Sequence, residues 1–192
     1  MLGIPRGEAI VGDIVARKLS ADFDLVIPRK LLAPKNRENA IGAIIGDDDD
    51  DIVVYINNFI VNSINISQDH IEREKAEQRK EMERRTSLYR PPHTCREYRI
   101  KDRMVVLVDD GIATGATTIV AARWIKKQQP RCLIIAVPVA SPQSVDILRK
   151  EADMVKVVMT PLMLGSVLQF YDNYDPVTDD QVIEIMRDRN LR

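Results

Sequence analysis

The chain has 192 residues, and its 28 Lys plus Arg stand against 29 Asp plus Glu. A chain this long forms one domain and buries about 70% of the surface its unfolded form exposes, so it needs no disulfide or structural metal to fold. The charge balance excludes the basic excess of a dedicated nucleic-acid binder, and no apolar run approaches the ~20 residues of a membrane span.

The opening stretch MLGIPRGEAI has no basic n-region and no long apolar run, so it reads as part of the fold and not as a signal peptide. Leu2–Ile4 reads as the end of a short strand. Glu8–Leu19 follows as a helix, with Ile10, Ile14, Val15 and Leu19 on one apolar face. Asp24–Ile27 is a short strand stopped by Pro28. Ile41–Ile66 is rich in Ile and Val and predicts two or three antiparallel strands. The acidic stretch Gly46–Asp51 joins them, and Asn57-Asn58 is a second turn. The pentad Asp47–Asp51 lacks the interleaved spacing of a calcium loop and reads as a solvated turn.

Ser67–Arg85 is almost wholly charged, with only Ile71, Ala76 and Met82 apolar. Asp69 and Glu72 suit a helix start, and so polar a helix is expected to bury little, being solvated or mobile. Leu88–Arg96 is loop-like around Pro91-Pro92. Strands are then predicted at Met104–Val108, Cys132–Val137 and Met154–Val158, and helices at Ala116–Lys127 and Gln143–Lys150. Pro161–Tyr174 is irregular. Thr178–Arg187 closes the chain as a helix, with Thr178 and Gln181 placed as a capping box. Apolar strands alternating with helices predict an α/β fold, a parallel twisted sheet with helices on both faces and ligands at the carboxyl ends of the strands. Cys95 and Cys132 form no CxxC pair and read as reduced thiols of a cytoplasmic protein. His70 and His93 have no ligand partner at i+4 and read as structural or surface residues.

The chemistry concentrates in Val105–Thr117, VVLVDDGIATGAT. The apolar residues Val105–Val108 form a buried strand, Asp109 and Asp110 stand at its carboxyl end, and a turn leads into a helix near Ala116. A turn entering a helix presents unpaired N–H groups at the positive end of the helix dipole, which is an anion site. Gly115 lets a phosphate approach the backbone, and Thr114, Thr117 and Thr118 offer hydroxyl donors. Carboxylates beside an anion site suit a ligand that also carries hydroxyls, because ionised carboxylates only accept hydrogen bonds. A ribose 5-phosphate meets both requirements.

This segment resembles the 5-phosphoribosyl-1-pyrophosphate (PRPP) motif of type I phosphoribosyltransferases, and it is not a P-loop, since no Gly-Lys-Ser/Thr follows the turn. The resemblance implies that Asp109, Asp110, Gly111, Ile112, Ala113, Thr114, Gly115, Ala116 and Thr117 bind PRPP. Asp109 and Asp110 would be the catalytic pair, meeting the ribose hydroxyls directly or through water on Mg2+. Gly3–Gly7, GIPRG, is similar to the family's pyrophosphate loop, which implies that Pro5, Arg6 and Gly7 hold the leaving group; such loops often contain a strained or cis peptide. The stretch IPRKLLAPKNRENAIGA resembles one found in a subgroup of bacterial and archaeal members. There Arg29 and Lys30 either clamp pyrophosphate or end a strand in solvent. Arg84–Arg90 lies where type I enzymes carry a flexible loop, which makes Arg85, Tyr89 and Arg90 candidates for pyrophosphate.

By the same resemblance the chain is a single domain, 1–192, with a small antiparallel β insertion and flexible loop over 41–96 and a hood with the C-terminal helix over 161–192. Phe170, Tyr171 and Tyr174 in Pro161–Tyr174 either stack on an acceptor ring or pack in the core. The family usually forms dimers, so a homodimer is expected. Two departures stand out. Type I chains usually place a helix before the first core strand, whereas here the strand begins at Leu2. Either the true start lies upstream or one sheet face is under-covered. Ala113 replaces the acidic residue of enzymes that act on 6-oxopurines and resembles the adenine-type motif. The implied activity is transfer of the phosphoribosyl group from PRPP to a nitrogenous acceptor with release of pyrophosphate. The competing readings are a PRPP-binding regulator without transferase activity and an interaction protein that docks through its charged helix.

Overall fold

The computed structural model describes residues 1–34, 40–46, 49–90 and 100–190. Part of the IPRKLLAPKNRENAIGA stretch, Asp47, Asp48, the Pro91-Pro92 loop, His93 and Cys95 lie outside the described residues. Five parallel strands build the main sheet in the order β2-β1-β6-β7-β8: β1 (Leu2–Gly3), β2 (Asp24–Leu25), β6 (Met104–Val108), β7 (Cys132–Val139) and β8 (Met154–Met159). A separate antiparallel sheet, β3-β4-β5, comprises Arg29–Leu32, Ala40–Ile45 and Val53–Ile56. The helices are α1 (Gly7–Lys18), α2 (Asn58–Ser63), α3 (Gln68–Tyr89), α4 (Ala116–Lys127), α5 (Pro142–Leu148) and α6 (Asp179–Asn190). The sheet leads outward from β1 in both directions. Right-handed crossovers therefore place α1 on one face and α4 and α5 on the other.

The expected α/β architecture stands, and several elements differ in ways that have physical causes. Pro28 does not end the local β structure; it separates β2 from β3, so Arg29 and Lys30 begin a strand of the second sheet. Asn57-Asn58 is no hairpin turn. Asn57 caps α2, its side chain accepting from the Ile60 amide at 3.2 Å, and the residues after it are helical. On α1 the expected apolar face is inverted: Ile14 and Leu19 are exposed, while Ala9, Gly12, Asp13 and Ala16 are buried. Small residues win because Phe23 packs on this face, where a Cβ on Gly12 would stand 2.6 Å from its ring.

The charged helix buries far more than its composition predicts. It runs to Tyr89, and Ile71, Glu74, Gln78, Met82 and Tyr89 lie three, four or seven residues apart on one buried face. Polar members of that face find partners. Glu74 accepts from the Leu32 amide at 3.1 Å and from Gln78 at 3.0 Å, and Gln78 accepts from Arg29 at 3.1 Å. Ion pairs Glu72–Lys75, Arg79–Glu83 and Glu81–Arg84 line the helix's other side. His70 turns inward, its Nε2 lying 2.9 Å from the Leu32 carbonyl. The acidic pentad is not merely solvated either, since Asp51 accepts from the Trp124 indole at 2.5 Å and so ties the second sheet to α4.

Three apolar clusters follow from this arrangement: one between the main sheet and α4 and α5, one where α1, α3 and α6 meet, and one under the antiparallel sheet. One face of the main sheet is less buried than the other at β7 and β8. Leu133, Ile135, Val137 and Val139 are buried, but Cys132, Ile134 and Ala136 on the opposite row are half-buried, and Val158 on the edge strand is 82% exposed. At the C-terminus the capping box forms as expected. The Thr178 amide donates to the Gln181 side chain at 2.9 Å, and the Gln181 amide donates back to Thr178 at 3.3 Å.

The antiparallel sheet depends on a close approach at Gly42, where a Cβ would lie 2.1 Å from the Tyr55 carbonyl oxygen. Gly42→Ala is therefore expected to lower the unfolding free energy by about 1–3 kcal/mol, as overpacking does. Urea denaturation would read this as a lower midpoint, and an unchanged midpoint would contradict so tight a contact.

Candidate functional site

The site forms because β1 and β6 are parallel neighbours, with Gly3 opposite Val108. Both chains leave the sheet at its carboxyl edge. Pro5–Gly7 therefore turns directly beside Asp109 and Asp110, and the Pro5–Arg6 peptide in that turn is cis. The approach is close: a Cβ on Gly7 would stand 2.9 Å from the Asp110 carboxylate. Any larger residue at this position would push the two loops apart.

The two aspartates face different ways. Asp109 is buried and turns toward α4, where the Thr118 hydroxyl donates to it at 2.6 Å. Thr118, expected among the phosphate donors, thus serves the carboxylate instead. Asp110, only 7% exposed, faces the Gly7 turn, and one of its carboxylate oxygens accepts a hydrogen bond from the Tyr174 hydroxyl. Lys30 lies near enough for its charge to favour the Asp110 carboxylate.

A third carboxylate completes the cluster and was not legible in the sequence. Glu8, in the first turn of α1, has an oxygen within 4.8 Å of oxygens on both aspartates. A carboxylate at a helix start ordinarily complements the helix dipole, and nothing in its spacing separates that role from this one. Burial pushes the Glu8 carboxyl up to about 9, and the charges of Asp109 and Asp110 add to the effect. Burial likewise raises Asp109 to about 6 against the opposing hydrogen bond from Thr118, and it raises Asp110 against the hydrogen bond from Tyr174. Three crowded, half-dry carboxylates favour protons or a cation among them. Their all-oxygen donor set suits a hard divalent ion such as magnesium.

The remaining loop leads into the start of α4, whose unpaired N–H groups could hold an anion. Gly115 adopts φ 76° as the N-cap of α4, a left-handed conformation that glycine tolerates. Ala113 and Thr114 are exposed and Thr117 is half-exposed at the helix start. Ile112 has its side chain in the core and its amide on the Val139 carbonyl at 2.9 Å, so it anchors the loop and leaves its neighbours open. The Ala113 carbonyl accepts from the Ser144 hydroxyl at 2.6 Å, which fixes the turn from α5.

The cationic candidates separate into two groups. Arg6 lies 3.7 Å from Asp179 at the start of α6. Arg29 is half-buried, and burial together with the nearby Arg85 lowers its proton affinity. Arg85 pairs with Glu81 at 2.8 Å. Arg29 and Arg85 thus lie near each other, Arg6 lies at the start of α6, and the charge of Lys30 is felt by Asp110. Tyr89 and Arg90 sit deeper. The Tyr89 ring is buried and its hydroxyl donates to Asp179 at 2.7 Å, while Arg90 donates to Asp24 at 3.1 Å and to the Leu25 carbonyl at 2.7 Å. Both join elements of the fold together.

The aromatic candidates also divide. Tyr171 donates to the Asp110 carbonyl at 2.5 Å, and its ring meets Tyr174 edge-on, 5.3 Å between centroids. Burial pushes the Tyr171 phenol up to about 12. Phe170 ends a short 3₁₀ turn, Val167–Phe170, and is half-exposed. Val167 of that turn lies against Gly111, where a Cβ would come 2.4 Å from its side chain. Residues 167–174 therefore lie directly over the acidic end of β6.

Comparison with known proteins agrees with this geometry. The model of the phosphoribosyl transferase domain matches residues 54–171, more than half of the chain. Two proteins from strains of Mycobacterium tuberculosis, which carry phosphoribosyl transferase as a provisional name, are each 32% identical to it over 97% of the chain. The chain spans about two fifths of their length, 41%. The crystal structure of TT1426 from Thermus thermophilus superposes with a TM-score of 0.74 at 36% identity, covering 97% of this chain and 86% of that one. With its parallel sheet, its acidic strand end and this match in hand, the chain belongs to the phosphoribosyl transferase domain family, in its type I form.

Proposed function

We propose that this domain transfers the 5-phosphoribosyl group of PRPP to a nitrogenous acceptor and releases pyrophosphate. The observation that carries the reading is the meeting of the Pro5–Gly7 turn with Asp110 across the β1–β6 pair, which sets a leaving-group loop beside a ribose-binding carboxylate. In this reaction the bond from the anomeric carbon to pyrophosphate oxygen breaks, with the electron pair leaving on pyrophosphate. A bond from that carbon to the acceptor nitrogen forms. The transition state carries positive charge on the sugar, so the protein's work is positioning and charge stabilisation.

Each part of the site takes a role in this reading. Ala113–Thr117 and the start of α4 hold the 5-phosphate through main-chain N–H groups and threonine hydroxyls. Asp110 accepts from the ribose hydroxyls, and Asp109, locked by Thr118, sets the charge beneath them. Arg6, Arg29, Lys30 and Arg85 face the pyrophosphate. Magnesium, held by Asp109 and Asp110 through water with Glu8 alongside, would offset the negative charge that the donor brings to these carboxylates. Phe170 and Tyr171 offer ring faces to the acceptor, and Ala113 leaves the motif without an acidic group for a 6-oxopurine.

Pyrophosphate release from PRPP, measured against a panel of nitrogenous bases with magnesium present, tests the activity directly. PRPP binding without turnover on any base would favour the regulator instead. Asp110→Asn is expected to reduce turnover by at least about 100-fold, the scale of losing a group that works in the transition state, while leaving the unfolding midpoint within a few degrees of the parent. Undiminished turnover would overturn the role of Asp110.

The carboxylate cluster also predicts a pH dependence of the ligand-free protein. Glu8 holds its proton to about 9 when folded, against an ordinary value of 4.5. Between those values the unfolded chain has released the proton and the folded chain has kept it, so stability falls as pH rises through that window. Glu8→Gln removes this loss. Its melting temperature relative to the parent should rise between about pH 5 and about pH 8. A difference independent of pH would mean that Glu8 ionises normally in the folded protein.

A further inference from the structure

We propose that Tyr174 sets the donor affinity of this site by occupying Asp110 Oδ2 in the ligand-free protein, so that a ribose hydroxyl binding at that oxygen displaces the phenol hydroxyl. The inference rests on the reading of Asp110 as the ribose ligand. The Tyr174 hydroxyl donates to Asp110 Oδ2. The Gly7 turn crowds the same oxygen beside the phenol, since a Cβ on Gly7 would stand 2.9 Å from it and 3.6 Å from the Tyr174 hydroxyl. An ionised carboxylate only accepts, so the phenol and a sugar hydroxyl are both donors to it, and they compete where both seek the same face of Oδ2. With the Gly7 turn close by, a hydroxyl that approaches Oδ2 from the Tyr174 side meets the phenol already seated there.

The surroundings are suited to exchange. Tyr174 is 40% exposed, so its ring faces solvent while its hydroxyl reaches a buried carboxylate. The strap that carries it is irregular apart from the Val167–Phe170 turn, and upstream of that turn Leu162 and Met163 are almost fully exposed. Tyr171, held by the Asp110 carbonyl, gives the strap a second anchor close to the first. Tyr174 can therefore swing away while the strap stays over the motif. The affinity for the donor is then lowered by the fraction of molecules in which Tyr174 is seated.

The test titrates ribose 5-phosphate and PRPP with magnesium into the parent, Tyr174→Phe and Tyr174→Leu by calorimetry, and follows amide hydrogen exchange over 171–176 with and without ribose 5-phosphate. Both variants should bind ribose 5-phosphate roughly tenfold more tightly than the parent, the scale of one hydrogen bond to a charged group. Without ligand, both should exchange faster than the parent over 171–176. In the parent, ribose 5-phosphate should speed exchange in that segment. Equal or weaker binding by the variants, unchanged exchange in the ligand-free variants, or slower exchange in the liganded parent each overturns the inference while leaving the donor reading in place. No binding of either ligand to any of the three proteins at millimolar concentration overturns the donor reading itself, and the inference with it.

Discussion

Three carboxylates cannot share one half-buried corner without help, and much of this molecule is arranged around the corner that Glu8, Asp109 and Asp110 share. The parallel pairing of β1 with β6 creates it, because two neighbouring strands running the same way deliver their following loops to one edge. The hydroxyls of Thr118 and Tyr174 each satisfy one aspartate, and the proton kept by Glu8 removes one charge. What remains is a carboxylate corner suited to hydroxyl donors and a cation, with the start of α4 next to it.

The second sheet and the charged helix form the basic counterpart of that corner. β3 brings Lys30 near Asp110 and turns Arg29 toward α3, and α3 holds β3 in place through Glu74 and Gln78. Burying two such polar side chains is tolerable because each has its partners, on the β3 backbone, on Arg29 and on each other. The same helix delivers Arg85, while its last turn uses Tyr89 and Arg90 to fasten α6 and β2. These cationic side chains are thus mounted on a rigid frame.

The C-terminal strap closes the third side. Its two tyrosines meet Asp110 at different atoms, one at the backbone and one at the carboxylate, so the strap is fastened to the end of β6 at two points. The Ser144 hydroxyl holds the Ala113 carbonyl and fixes the following turn.

Local patterns in the chain were enough for the main elements. The run Val105–Val108 with its following acids, the α4 span and the Thr178–Gln181 capping box depend on interactions within a few residues, so spacing and residue type reveal them. The motif also carried the fold class, because buried parallel strands alternating with helices have few alternative packings. Other features needed the tertiary structure. Ile14 and Leu19 looked like the buried face of α1 until Phe23, arriving from the far end of the helix, chose the small-residue side. The polar helix α3 proved half buried because its partners lie on a strand some forty residues away. Glu8 became part of the site only because β1 lies beside β6, and Tyr174 because the chain returns to Asp110 after 64 residues. The sequence alone determined the acidic strand end and the glycine turn into α4. Only the folded chain decided which of their lone pairs are already taken, since that depends on contacts between segments that no local spacing encodes.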